Sequence, residues 1–167
     1  MKNLYLMRHA KSSWSEPGLV DHDRGLNRRG KRDAPRMGRA LAARLPVCAI
    51  ASSSARRARL TLAGLCEGWP GLDEMPHRND AGLYTFSADE LAQWVTEQDD
   101  TLTSLFIIGH NPALTVLINA LVGKPALDNL PTAAFAQLAL DIEHWADLKA
   151  GCGQLLDVLL PRTLEED

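Results

Sequence analysis

Short apolar runs alternate with longer amphipathic segments along this chain, and that alternation constrains the fold more than any other feature. The run 104–109 is dominated by Leu, Phe and Ile and has the length of a buried strand. Strands that alternate with helices of this kind form right-handed crossover units, which build a mostly parallel sheet. We therefore predict a three-layer α/β fold with helices on both faces of the sheet, in a single domain over 1–167. The predicted strands are 2–7, 47–51, 74–79, 104–109, 133–140 and 154–159.

Capping residues and prolines indicate where the helices begin. Asp33 is predicted to cap a helix that has Pro35 in its first turn and runs to about residue 45, with 28–34 as a separate turn or a bent helix start. An acidic tail that frays is predicted at 165–167. Further helices are predicted at 55–66, at 88–98 with Ser87 and Glu90 as a capping box, and from Pro112 to near Gly123 with Asn111 as the cap.

Charge is distributed unevenly between the two halves of the chain. Residues 1–59 carry 14 Lys and Arg against 4 Asp and Glu, whereas residues 60–167 carry 4 against 17. A basic front half suits an anionic ligand that binds near the N-terminal residues. The net charge of −3 for the whole chain argues against a nucleic acid partner.

Membrane and disulfide-rich classes of protein are disfavoured by the same sequence. No apolar run approaches the ~20 residues that a membrane-spanning helix needs, and the short apolar start at 4–7 is followed at once by an arginine. Cys48, Cys66 and Cys152 are far apart and form no CxxC pair, so neither a disulfide framework nor a zinc ribbon is indicated. We expect a cytoplasmic protein with no membrane partner.

Polar residues of unusual character follow three of the predicted strands. Arg8 and His9 follow the first strand, three serines at 52–54 and arginines at 56–57 follow the second, and Gly-His-Asn-Pro at 109–112 follows the fourth. In open α/β sheets, ligands bind beyond the carboxyl ends of the strands. We therefore expect these three segments to converge on one edge of the sheet.

The side chains at these strand ends are of the types that suit a phosphoryl group. A neutral imidazole such as that of His9 is a nucleophile near pH 7 and can accept a phosphoryl group covalently. The group in transfer spreads negative charge over three oxygens, which guanidinium forks bind in pairs. His110 lies just before a predicted helix N-terminus, where the helix dipole also favours an anion. Each residue alone is typical of an ordinary structural role, but the three motifs together favour a phosphate site.

The same motifs resemble those of a known family. Arg8-His9-Ala10 resembles the Arg-His-Gly signature of the histidine phosphatase superfamily, which also includes phosphoglycerate mutases and acid phosphatases. The run 6–14 is most similar to the small SixA-type phosphohistidine phosphatases, which share the alanine in place of glycine. Further similar segments extend the resemblance to about residue 162: Asp21-His22-Asp23-Arg24-Gly25-Leu26-Asn27, Arg29-Gly30, Leu83-Tyr84, Gly109-His110-Asn111-Pro112 and Leu130-Pro131-Thr132.

The resemblance implies a phosphoglycerate mutase-like fold and a reaction cycle in which His9 is phosphorylated. It also implies that Arg8, Arg57 and His110 form the phosphate pocket. Arg57 is preferred to Arg56 because the residues at 53–58 fit the family pattern with Arg57 in register.

The identity of the proton donor stays open at this point. Asp80, just past the third predicted strand, is the best-placed carboxylate, Glu90 is second, and an enzyme without an internal acid is a third possibility. Asp21 and His22 are remoter candidates. Larger relatives carry an Asn six positions after the nucleophile, and here that position is Ser15, a weaker candidate for phosphate binding.

Without a strong internal acid, cleavage of a P–N bond is favoured over cleavage of a P–O bond, because a protonated imidazole leaves far more readily than an alkoxide. The chain also has no long insertion that could form a lid, which predicts an open pocket. We therefore predict a phosphohistidine phosphatase that acts on a phosphohistidine-bearing protein. Alternatives are a phosphatase or mutase for small phosphate esters and a non-catalytic phosphoprotein-binding module. The five histidines share no metal-ligand spacing, so we expect no metal and no cofactor.

Overall fold

Within residues 1–164 the chain forms six strands and four α-helices. The structure is a computed structural model that describes these residues, so the predicted acidic tail at 165–167 lies outside the described residues. The strands are β1 (Lys2–Arg8), β2 (Ile50–Ser53), β3 (Arg78–Asp80), β4 (Ser104–Gly109), β5 (Phe135–Leu140) and β6 (Gly153–Leu159). The helices are α1 (Arg28–Ala42), α2 (Arg56–Gly68), α3 (Ala88–Thr96) and α4 (Ala113–Val122), with short 3₁₀ helices at Asp21–Asp23, Leu72–Glu74, Ala81–Leu83, Trp145–Asp147 and Pro161–Thr163.

The strands form one mixed sheet in the order β3-β2-β4-β1-β5-β6. β1 and β4 are parallel, as are β4 and β2 and then β2 and β3, whereas β5 runs antiparallel to β1 and to β6. Strands β1 to β4 therefore end at the same edge of the sheet. Arg8 is paired with Gly109 in the β1–β4 register, so His9 and His110, the next residues of each strand, leave the sheet side by side.

Two hydrophobic clusters, one on each face of the sheet, hold the helices in place. Leu4 and Leu6 of β1 pack with Leu117 of α4 and with α3, whereas Met7 packs with Met37 of α1 and with α2 on the opposite face. This alternation follows from the period of two in a strand, which sends successive side chains to opposite faces. The predicted three-layer α/β fold with a mostly parallel sheet is confirmed. Among residues 1–164, none of the helices combines the length and the hydropathy that a membrane span requires.

Helix α1 begins six residues earlier than the sequence predicts. Its N-cap is Asn27, whose side chain accepts a hydrogen bond from the Gly30 amide at 2.9 Å. Asp33 is not a cap; it is buried inside the helix, where Arg29, Arg32 and Arg36 surround its carboxylate within 4 Å. The capping prediction was wrong because an ion-pair cluster stabilises the buried Asp33. Pro35, predicted for the first turn, lies in the middle of this helix.

The other boundaries differ from the predictions by a few residues. β5 begins at Phe135 and not at 133, because Ala133 adopts a left-handed conformation (φ 62°) and donates its amide to the carbonyls of Arg8 and His9. Glu90 does not complete the predicted capping box: its carboxylate accepts the Thr85 hydroxyl at 2.5 Å. The β2 strand begins at residue 50, three residues later than predicted, and β3 is limited to three residues.

Gly30 allows α1 to pack directly against the segment that follows His9. A methyl group at position 30 would overlap the carbonyl oxygen of Lys11 and come within 3.0 Å of the Lys11 amide nitrogen. We expect Gly30→Ala to lower the free energy of unfolding by about 1–3 kcal/mol, because the backbone must shift to relieve the overlap. This range is the net effect, after allowing for the ~1 kcal/mol by which the higher helix propensity of alanine stabilises the helix.

Urea denaturation followed by circular dichroism measures this difference. Lys31→Ala, an exposed substitution at the next position of the same helix, is the matched control and should change stability by less than about 0.5 kcal/mol. A Gly30→Ala protein as stable as the parent would contradict the packing argument.

Candidate active site

Four of the predicted site residues, Arg8, His9, Arg57 and His110, lie at the shared carboxyl edge of β1, β2 and β4. His9 directly follows β1, His110 directly follows β4, and Arg57 occupies the first turn of α2, just after β2. The Thr61 hydroxyl joins two of these segments, because it accepts the Ala10 amide at 2.9 Å and donates to the Arg57 carbonyl at 2.7 Å. The loop after β1 is thereby fixed against α2.

The environment of His9 defines which ring nitrogen carries the proton. Nδ1 lies 2.8 Å from the carbonyl oxygen of Ala10, which can only accept, so Nδ1 is protonated and Nε2 keeps a lone pair. Burial lowers the pKa of His9 to about 4, aided by the positive charges of Arg57 and Arg8. At neutral pH the ring is therefore uncharged, the state in which an imidazole is nucleophilic.

Arg57 connects the two histidines. Its guanidinium is buried, with Nε 3.4 Å from Nε2 of His9 and Nη2 3.4 Å from Nδ1 of His110. On its other side it donates to Asp21 twice, from Nη1 to the backbone carbonyl at 2.8 Å and from Nη2 to the carboxylate at 3.0 Å. Arg57 thus holds a fixed orientation with its fork beside His9.

His110 is almost fully buried at 1 % exposure, and its ring centroid lies 5.1 Å from that of His9. Its Nε2 lies 2.7 Å from the Ser53 hydroxyl, while Nδ1 faces Arg57. Burial lowers the pKa of His110 to about 3, and the neighbouring His9 and Arg57 act in the same direction. A phosphoryl dianion bound beside the ring would favour its protonated form, because an opposite charge raises the pKa of an imidazole.

Arg8 contributes a second guanidinium to the cluster. Its Nη1 donates to the Leu130 carbonyl at 3.2 Å, and its charge acts on both His9 and His110. Within residues 1–164, Nε of Arg8 is buried and lacks a hydrogen-bond partner. An unsatisfied buried donor is costly, and an oxygen of a bound phosphoryl group is a suitable acceptor for it.

The carboxylate of Asp21 contacts this cluster through Arg57. In the sequence analysis, Asp21 was only a remoter candidate for the proton donor. One carboxylate oxygen accepts the Tyr84 hydroxyl at 2.5 Å and Arg57 at 3.0 Å, and the other accepts Nε and Nη2 of Arg24 at 3.2 and 3.0 Å. Partial burial raises the pKa of Asp21, but the hydrogen bonds from Tyr84, Arg24 and Arg57 together hold that pKa well below its ordinary value. Asp21 is therefore ionised at neutral pH.

The other predicted acids are engaged elsewhere in the fold. The two carboxylate oxygens of Asp80 accept the Gly82 amide at 2.8 Å and the Trp94 indole at 2.9 Å, so Asp80 caps a 3₁₀ helix and anchors α3. The carboxylate of Glu90 accepts from Thr85. Ser15 is exposed and its hydroxyl lies 2.8 Å from that of Ser13.

A metal site requires several ligand side chains close together in space. In the part of the chain that the structure describes, no three His, Cys, Asp or Glu side chains lie close enough together to hold a metal ion.

Comparison with known proteins identifies the family to which this site belongs. Residues 4–105, more than half of the chain, match the histidine phosphatase superfamily (branch 1). The chain belongs to this superfamily. The resemblance stated from the sequence motifs is therefore confirmed.

Relatives of this histidine phosphatase cover almost its whole length. Uncharacterized protein Rv1276c of Mycobacterium tuberculosis is 36% identical over 166 residues, which are 93% of this chain and 100% of that protein. The crystal structure of a protein assigned as the phosphohistidine phosphatase SixA from Agrobacterium tumefaciens has a TM-score of 0.78 and 27% identity, and the match covers 96% of this chain and 98% of that one. Mycobacterial glucosyl-3-phosphoglycerate phosphatase Rv2419c shares the fold, with a TM-score of 0.67 and 17% identity over 92% of this chain and 96% of that one.

Asp21 should act as a positioning residue of this histidine phosphatase. We expect Asp21→Asn to lower kcat by roughly tenfold, because Arg57 loses a charged hydrogen-bond partner that orients its fork toward His9. The pH profile above pH 6 should keep its shape, because the pKa of His9 is about 4 and its ring is uncharged throughout that range.

Steady-state kinetics across pH 5–9 measures both quantities. Asp23→Asn is the matched control, since Asp23 lies two residues away, is 59% exposed and faces His22 at 3.6 Å. Full activity of Asp21→Asn would show that Arg57 is held adequately by the backbone carbonyl alone.

Proposed function

We propose that this histidine phosphatase removes the phosphoryl group from phosphohistidine on a protein, by way of a covalent intermediate on His9. The observation that carries the proposal is the tautomer of His9, because its Nε2 lone pair faces the Arg57 guanidinium in a buried site. Such an arrangement suits a nucleophile that has hydrogen-bond donors positioned beside it to bind the phosphoryl oxygens. The cytoplasm remains the expected compartment.

In the first half-reaction, Nε2 of His9 attacks phosphorus, and the P–N bond to the substrate imidazole breaks as the new P–Nε2 bond forms. Arg8, Arg57 and His110 hold the three phosphoryl oxygens, on which the charge is spread. Each such donor typically contributes about 3–4 kcal/mol of transition-state stabilisation. The leaving imidazole takes a proton from solvent.

In the second half-reaction, a water molecule attacks the phosphoryl group on His9. The P–Nε2 bond breaks, inorganic phosphate leaves, and the electron pair returns to Nε2. The hydrogen bond from Nδ1 to the Ala10 carbonyl keeps the ring in the same tautomer throughout the cycle. The same clamp of arginines serves both steps, because the charge in transfer is the same.

The state of the carboxylates supports a phosphohistidine substrate over a phosphate ester. Asp21 is ionised and has no proton to give, while Asp80 and Glu90 are engaged in contacts that stabilise the fold. We infer that the enzyme works without an internal general acid, which disfavours leaving groups that need a proton as alkoxides do. The SixA assignment of the Agrobacterium tumefaciens structure is consistent with this substrate class.

A trapping experiment tests the proposal. A phosphotransfer domain that carries ³²P on histidine is mixed with the enzyme and quenched in alkali within milliseconds. We expect the label on His9, with no labelling of His9→Ala. His144→Ala, which changes an exposed histidine that pairs with Asp100, is the matched control and should be labelled like the parent.

Specificity is measured with the same preparation. We expect kcat/KM for the phosphohistidine protein to exceed that for sugar phosphates and other small phosphomonoesters by a wide margin. A much higher kcat/KM for a sugar phosphate, or labelling of a residue other than His9, would overturn the proposed function.

A further inference from the structure

Four large apolar side chains are exposed on the loops around the cluster formed by Arg8, His9, Arg57 and His110. Trp14, Leu19 and Val20 lie in the loop that follows β1, and Phe86 lies just before α3; their exposures are 75, 39, 63 and 48%. We call these four residues the apolar rim. Exposed apolar surface around a polar site marks interaction sites in soluble proteins.

Two residues of the rim, Phe86 and Trp14, contact the cluster or the residues that hold it. The ring of Phe86 lies 5.4 Å from that of His110, and the indole of Trp14 covers the guanidinium of Arg24 at 3.6 Å. Arg24 in turn binds Asp21, and Val20 directly precedes Asp21 in the chain. The rim is therefore continuous with the residues that would hold the phosphoryl group.

The depth of the cluster determines what must cover the rim. His9, Arg57 and His110 are only 7, 2 and 1% exposed, so a phosphoryl group enters the site while the molecule that carries it stays outside. A small ester would leave the rim in water. A phosphohistidine on a folded protein would bring the surface around that histidine onto the rim.

Two exposed arginines at the start of α2 indicate the character of the partner. Arg56 and Arg59 are exposed at the start of α2, and Arg59 binds the Ser54 carbonyl at 3.0 Å, while the Ser54 hydroxyl contacts His22. In a two-fold dimer through this surface, a second copy of this chain would bring the same arginines against each other. A partner with acidic residues around an apolar patch complements this surface.

We propose that the apolar rim is the docking surface for the folded protein that carries the phosphohistidine, and that this protein presents the phosphorylated ring within an apolar patch bordered by acidic residues. The inference rests on the proposed function, because the pocket must accept phosphohistidine for the rim to meet such a partner. Docking then contributes to kcat/KM for folded substrates and contributes nothing for small ones.

The first test compares three substrates. They are a folded phosphotransfer domain phosphorylated on histidine, a short phosphohistidine peptide cut from it, and phosphoramidate. Leu19→Ser/Val20→Ser should lower kcat/KM for the folded domain by roughly tenfold, a loss typical of truncated interface residues. It should leave kcat/KM for the peptide and for phosphoramidate within twofold. The control Leu156→Ser, in β6, removes a leucine that is 50% exposed and should change none of the three.

The second test uses a probe already in the chain. Of the four tryptophans, Trp69, Trp94 and Trp145 are buried, so acrylamide quenching of fluorescence reports mainly on Trp14. With the inactive His9→Ala protein, the phosphorylated domain should reduce the quenching constant of Trp14 severalfold. Phosphoramidate should leave it unchanged.

The outcomes separate docking from catalysis. Equal loss, or no loss, of kcat/KM for folded and small substrates in Leu19→Ser/Val20→Ser would overturn the docking surface while the proposed function stands. Protection of Trp14 by anionic lipid vesicles or by higher enzyme concentration, and not by the phosphorylated domain, would assign the rim to a membrane or to a second copy. A parent enzyme that hydrolyses no phosphohistidine substrate of any size would remove both proposals.

Discussion

The buried guanidinium of Arg57 is the contact on which the rest of the site depends. It lies 3.4 Å from a nitrogen of each histidine and is held from behind by the backbone and the carboxylate of Asp21. A buried charge is tolerated only when it is paired and hydrogen-bonded, and Asp21 supplies that partner. Hydrogen bonds from Tyr84, Arg24 and Arg57 together hold the pKa of Asp21 well below its ordinary value, so this carboxylate has no proton to donate at neutral pH.

The sheet supplies the rest of the geometry. Parallel pairing of β1 with β4 brings His9 next to His110, and the left-handed Ala133 binds the carbonyls of Arg8 and His9 through its amide. A non-glycine residue in this conformation carries about 1–3 kcal/mol of strain, which the surrounding structure must offset. Gly30 adds a close approach of α1 behind the same loop. Backbone contacts thus fix the position of His9.

Much of this could be predicted from the sequence because strand periodicity and strand-end residues are local signals. The strand at 104–109 was predicted with the observed bounds, and the convergence of the segments after β1, β2 and β4 follows from their parallel order. The partner of Arg57 could not be predicted, since Asp21 lies 36 residues away in a loop whose path no periodicity determines. Asp80 looked well placed because it ends β3, but the direction of a side chain at a strand end depends on its neighbours, here Trp94.

The central claim is that His9 is an uncharged imidazole with its lone pair on Nε2. Nitrogen NMR of the ¹⁵N-histidine-labelled protein, recorded from pH 3 to 8, reports the tautomer and the pKa of each ring directly. The account predicts that His9 carries its proton on Nδ1 and titrates with a pKa of about 4. A His9 ring that is protonated on Nε2, or that titrates near the ordinary value of about 6.5, would contradict it.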